Sequence, residues 1–176
     1  MSVAQMLLAE FEAQAPATRK FLERLPEDRL TWKPHEKSMT AGQLALHIAR
    51  VPAGVVQGVQ KDSIPLPDFR SAAAQPQPAN LREILQVHDE GVRTVLATLP
   101  QFSEARLQEI FRLMQGEKEV WAMPRAQFLR EIMLNHWYQH RGQLSVYLRL
   151  LNIAVPSTWG PSADESPAFL QKVQSA

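Results

Sequence analysis

Four long stretches of this chain repeat their apolar residues at the helical period, and no stretch alternates convincingly at the period of a strand. The chain is therefore expected to be all-α, each helix burying one stripe against the others. The first stretch runs from about Ser2 to Leu25, with Met6, Leu7, Phe11, Phe21, Leu22 and Leu25 as apolar positions. Ser2 and Gln5 have the spacing of a weak capping box, Pro16 predicts a kink or short break near Gln14, and Pro26 ends the stretch. The second starts near Ser38 to Thr40, where Thr40 and Gln43 form a capping box, and carries Leu44, His47, Ile48, Val51 and Val55 on one face. Pro52 cannot donate an N–H to the carbonyl of Ile48, so a kink or a restart is expected there.

Asn80 and Glu83 cap the third stretch, whose apolar side is Leu81, Ile84, Leu85, His88, Val92, Val95, Leu96 and Leu99; Pro100 stops it. The fourth begins at Met123-Pro-Arg, with Pro124 suited to the first helical position, and continues to about Leu151. Its inward stripe is Phe128, Ile132, Met133, His136, His140, Leu144 and Tyr147. Between these stretches, Trp32 to Ser38 reads as a packed loop and the proline-rich residues 61–79 as a long surface crossover. Residues 101–123 are ambiguous: Leu107 to Met114 suit helix or strand, and Gly116 suits a turn. Ser162 and Glu165 have the spacing of a capping box for a short terminal helix.

A chain of 176 residues is most economically one domain, 1–176, with room for a core. Its net charge of +1 gives no electrostatic footprint for nucleic acid or an acidic membrane surface. The absence of cysteine excludes disulfides, thiolate zinc sites and a cysteine nucleophile. The start, Met-Ser-Val-Ala-Gln, lacks the basic-then-apolar pattern of a signal peptide, and no apolar run approaches the ~18 residues of a membrane span. A cytoplasmic protein is expected. No Gly-x-Ser-x-Gly elbow and no glycine-rich phosphate loop occurs.

The chemistry-bearing residues are histidines. His136 and His140 stand four apart on the fourth helix, about 6 Å along its axis and on one side of it. His47 lies on an apolar face of the second. A single histidine on such a face is more often a hydrogen-bonded core residue, but a spaced pair and a third candidate on another helix favour one shared metal ion. Three imidazoles leave a coordination position open, as reactive metal sites do. Tyr138 and Gln139 cannot replace the glutamate that serves zincin proteases as general base, so a peptidase is not expected. Gln143 is a candidate to orient a ligand or a water, or else a surface residue; Asn135 and Arg141 read as surface residues. His88 reads as a hydrogen-bonded core histidine and His35 as exposed.

Trp32, Pro34 and His35 leading to Leu44-Ala-Leu-His47-Ile-Ala resemble the first conserved block of the DinB/YfiT-like metalloprotein family. Asn135-His136-Trp-Tyr-Gln-His140-Arg-Gly-Gln-Leu144 resembles the second, and Pro156-Ser-Thr-Trp-Gly-Pro-Ser-Ala-Asp-Glu165 a common family ending. The resemblance implies an up-down-down-up four-helix bundle, often a homodimer, holding a divalent metal, usually zinc or nickel. By position its metal ligands are His47, His136 and His140. Many members carry a further histidine beside the last ligand, where this chain has Gln139. Relatives include thiol-dependent S-transferases and isomerases that use bacillithiol, mycothiol or glutathione, and metal-dependent hydrolases. The expectation is thus a metal-dependent transferase or hydrolase acting on a small molecule, with a low-molecular-weight thiol as one candidate. Its rivals are a non-catalytic metal-binding stress-response bundle and a metal-free bundle with structural histidines.

Overall fold

The first four helices each start where a short polar side chain can take up a free N–H group. In the computed structural model, which describes residues 1–67, 75–167 and 170, Ser2 caps α1 (Val3–Glu23) and Thr40 caps α2 (Ala41–Gly58). Both complete the capping boxes expected with Gln5 and Gln43. Asn80 caps α3 (Leu81–Thr98), its side chain accepting the Glu83 N–H at 2.9 Å. Ser103 caps a short α4 (Glu104–Gln108). The last helical run is α5 (Arg125–Phe128), a π-helical segment (Leu129–Asn135) and α6 (His136–Leu150).

Neither internal proline breaks its helix: Pro16 lies within α1 and Pro52 within α2. The carbonyl of Ile48, left without its helical donor by Pro52, accepts instead from the indole Nε1 of buried Trp137 at 3.0 Å. That bond pins α6 to α2. Trp137 also stacks on Phe11 of α1, with ring centroids 5.2 Å apart. α1 and α2 each pack against both α3 and α6. Phe11, Leu22, Ile48, Ile84 and Leu144 lie in the apolar interior among them.

The chain is mostly helical but not all-α, which corrects the sequence expectation. β1 (Ser63–Pro65), β2 (Ile110–Gln115) and β3 (Lys118–Pro124) form a small sheet in that order. β1 runs parallel to β2, and β2 antiparallel to β3. The β2–β3 turn holds Gly116 at φ 61°, where a glycine has no steric penalty. β2 buries Phe111 and Leu113, but its outward Ile110 and half-buried Met114 are apolar too, and β3 is exposed through Ala122. Neither strand therefore shows a clean alternation.

Arg125, read from sequence only as part of a helix start, is fully buried. Its guanidinium donates to the carbonyls of Val59 (2.9 Å) and Lys61 (3.0 Å) and to Asp62 (2.6 Å), tying the end of α2 to the sheet. Pro124 is the residue before the helix rather than its first. Ser162 Oγ does accept the Glu165 N–H at 2.9 Å, yet no helix follows over 163–167, and the rest of that expectation lies outside the described residues. Among the described residues no helix is long and apolar enough to cross a membrane.

Candidate metal centre

His136 and His140, one turn apart on α6, meet His47 from α2. His136 Nε2 lies 3.1 Å from His47 Nε2 and 3.1 Å from His140 Nε2. The three ring planes are steeply inclined to one another, at 74° to 89°. His140 is buried, and the other two are half-buried. Two features set this register. The Trp137–Ile48 bond joins the residues immediately after His136 and His47. The π-helical segment ends at Asn135, so one extra residue enters the helical register just before the histidine pair. It buries Leu129, Met133 and Leu134 together and leaves Ile132, placed on the inward stripe by sequence, half-buried.

Amides hold two of the three rings, His140 and His47. Gln143 Oε1 lies 2.6 Å from His140 Nδ1, and since an amide oxygen only accepts, Nδ1 carries the proton and Nε2 keeps its lone pair. Gln75 hydrogen-bonds the His47 imidazole in the sense that favours its N–H. Sequence reading missed Gln75 because it lies in the crossover, which is not a plain surface linker. Gln43 Nε2 donates to the Gln75 carbonyl at 2.8 Å, Thr40 Oγ1 to Gln77 Oε1 at 2.7 Å, and Gln77 Nε2 to the Leu30 carbonyl at 3.1 Å. Gly42 lets this segment close on the start of α2: a Cβ there would lie 2.7 Å from Gln77 Nε2 and 2.9 Å from the Leu30 oxygen. Gln43 is one turn before His47, so the docked segment brings Gln75 to the histidine.

Burial, and then the positive charge that neighbouring imidazoles would carry, lowers His47 from 6.5 to about 4 and His136 likewise to about 4. Burial also lowers His140, against the opposing bond to Gln143. All three are thus neutral at pH 7, the form that ligates. Converging lone pairs repel unless a cation lies between them. Two nitrogens bound at about 2.05 Å to a tetrahedral ion stand about 3.3 Å apart, near the spacing found here. The donor set fits a divalent transition ion, and it is the metal-ligating cluster found among the described residues.

The remaining candidates lie elsewhere. His88 is buried on α3, with Nδ1 3.2 Å from Asp89, and His35 is exposed in its loop. Asn135 is exposed, as expected. Arg141 is not a plain surface residue: it is partly buried on the α1 flank of α6, donating to Thr18 Oγ1 at 3.2 Å with its guanidinium 5.2 Å from the Tyr138 ring centroid. Tyr138 donates to Glu10 Oε1 at 2.9 Å on the same flank, and burial and that bond push its phenol up, so it supplies no base.

Comparison with other proteins agrees with this architecture. The chain is 27% identical over 164 residues to protein YrdA of Bacillus subtilis (strain 168), covering 92% of this chain and 91% of that one. Its fold is similar to a DinB-like protein from Bacillus cereus ATCC 10987, with a TM-score of 0.68, 21% identity, and coverage of 87% of this chain and 95% of the other. A DinB-like protein of Bacillus subtilis, YjoA, superposes with a TM-score of 0.65 at 20% identity, covering 87% of this chain and 97% of that one. The model of the DinB superfamily matches residues 10–144, from α1 through both α6 histidines, and the chain belongs to that superfamily.

Proposed function

We propose that His47, His136 and His140 hold one zinc or nickel ion, and that the protein is a metal-dependent enzyme of the thiol S-transferase or hydrolase type. The observation that carries this reading is the convergence of three neutral Nε2 atoms with no fourth protein donor in the cluster among the described residues. A bound divalent ion would supply Lewis acidity to a water or a thiol at the remaining position. The chain's own part is to orient the imidazoles: Gln143 holds His140, Gln75 holds His47, and the Trp137–Ile48 bond keeps α6 in register with α2. With no cysteine in the chain, a sulfur nucleophile would come from a low-molecular-weight thiol cosubstrate. The family resemblance weighs toward thiol transfer.

The same reading takes the chain as one domain with up-down-down-up four-helix order, a cytoplasmic homodimer acting on a small molecule. The packing of α1 and α2 against both α3 and α6 supports the helix order. The test is metal content by mass spectrometry on untagged protein beside a His47→Ala variant, followed by ester, amide and electrophile–thiol panels on the loaded protein. One equivalent of metal in the first and none in the variant is expected. No metal after soaking in zinc and nickel would sink the proposal, and metal without turnover on any panel would leave a non-catalytic binder.

A further inference from the structure

Imidazoles are neutral ligands, so a divalent ion held by three of them keeps its double charge unless another group offsets it. No carboxylate joins the cluster among the described residues. Of the groups that act on His47, His140 and His136 are neutral at pH 7 and Arg50 is a cation; on His136 the neighbour that acts is His140. The outer hydrogen bonds on His140 and His47 come from Gln143 and Gln75, uncharged amides. Among the described residues, the groups that act on this position are thus neutral or cationic.

Arg50 adds to that charge. It follows His47 by three residues on α2, which places their Cβ atoms about 5–6 Å apart on adjoining parts of one face. It is exposed and makes no ion pair with a described residue, unlike Arg19, Arg24, Arg106 and Arg149, each of which meets a carboxylate. A free, planar guanidinium beside an undischarged cation is a recognition group for a carboxylate.

We infer that the substrate of this site is an anionic small molecule bearing a carboxylate, whose acid group is held by Arg50 while its reacting end lies at the open position of the three-histidine centre. This rests on the metal reading above and names the substrate class for it. Arg50 is here a specificity-determining residue, and the same field favours a thiol cosubstrate in its thiolate form.

The experiment uses the full chain loaded with cobalt(II), whose visible absorption reports both the three-histidine centre and anything entering its open position. Succinate, dimethyl succinate and inorganic phosphate are titrated into wild type, Arg50→Gln and Arg93→Gln; Arg93 is another exposed arginine that makes no ion pair with a described residue, on α3. Succinate is expected to shift the spectrum of wild type and Arg93→Gln alike, and to bind roughly three- to tenfold more weakly to Arg50→Gln. That difference shrinks as salt is raised, and the diester leaves the spectrum unchanged. An unaltered cobalt spectrum in Arg50→Gln shows that its loss belongs to the anion and not to the fold. Equal succinate affinity in Arg50→Gln, no response to succinate, or equal binding of the diester overturns the inference and leaves the metal centre standing. Phosphate binding in place of succinate overturns the choice of a carboxylate. Absence of a cobalt spectrum in wild type overturns the metal reading and this inference together.

Discussion

Two seams of the molecule bury imidazoles and treat them in opposite ways. Between α2 and α6, His47, His136 and His140 turn their Nε2 atoms toward one another, with glutamine amides behind His140 and His47. Between α1 and α3, His88 stands alone beside Asp89, which Arg19 already grips through two hydrogen bonds of 3.0 and 3.2 Å. Burial lowers the pKa in both places, but at His88 the neighbouring carboxylate works against that shift. There the imidazole is a buried residue bonded to the next side chain of its own helix, and the link between the helices is Arg19–Asp89. Imidazoles gathered with no counter-charge are kept neutral, with their lone pairs free for a cation.

Several substitutions separate the two seams, the largest effect first. His136→Ala or His47→Ala is expected to lose stoichiometric zinc or nickel uptake, whereas His88→Ala retains one equivalent; metal analysis after dialysis decides it. An equal loss in His88→Ala would erase the contrast. Zinc at a hundred times its dissociation constant adds about 2.7 kcal/mol to the wild type, a Tm rise of roughly 5–10 °C in a chain of this size. The rise is expected to persist in His88→Ala and vanish in His136→Ala.

In the metal-free protein the order reverses. His88→Ala, which removes a buried hydrogen-bonded side chain, is expected to cost about 1–3 kcal/mol by urea unfolding. His136→Ala, which relieves converging lone pairs, is expected to stay within about 1 kcal/mol of wild type. A finer probe is the amides: Gln143→Ala and Gln75→Ala are each expected to weaken metal affinity about tenfold in chelator competition. An unchanged affinity in Gln75→Ala would return the crossover to the role of a linker.

The smallest effect is in pH. His47 and His136 titrate at about 4 in the folded chain against an ordinary 6.5, so protonation favours the unfolded state. Their contribution is whole above about pH 6.5 and is lost as pH falls from there through about 4. The Tm of metal-free wild type is therefore expected to fall over that window. The double variant His47→Ala/His136→Ala should show a shallower fall, and NMR should find both wild-type imidazoles neutral at pH 5.5.

The histidine pair was legible because four residues on a helix always share a side, and so were the caps at Ser2, Thr40 and Asn80, which involve neighbours three residues away. His47 was legible as a candidate, although nothing local says which helix face it meets. Gln75 carried no signal: its place depends on Gly42, Thr40 and Gln43 receiving a segment more than thirty residues downstream. The sheet was hidden because β2 is apolar on its outward side as well, and β3 buries little of itself. Arg125 read as an ordinary helix start, since burial of a guanidinium is visible only once the carbonyls of Val59 and Lys61 lie around it.

The amino-acid sequence by itself determined the long helices, their caps, the histidine pair and the lack of any thiolate ligand, because each depends on residues within a turn or on composition. Tertiary structure decided that His47 meets that pair, that Gln75 reaches His47 and that Arg125 is interred. These depend on groups far apart in the chain, and a local vacancy shows how the two levels join. Pro52 withholds one N–H from Ile48, and only the packed fold determines that Trp137 fills the place and holds the histidines together.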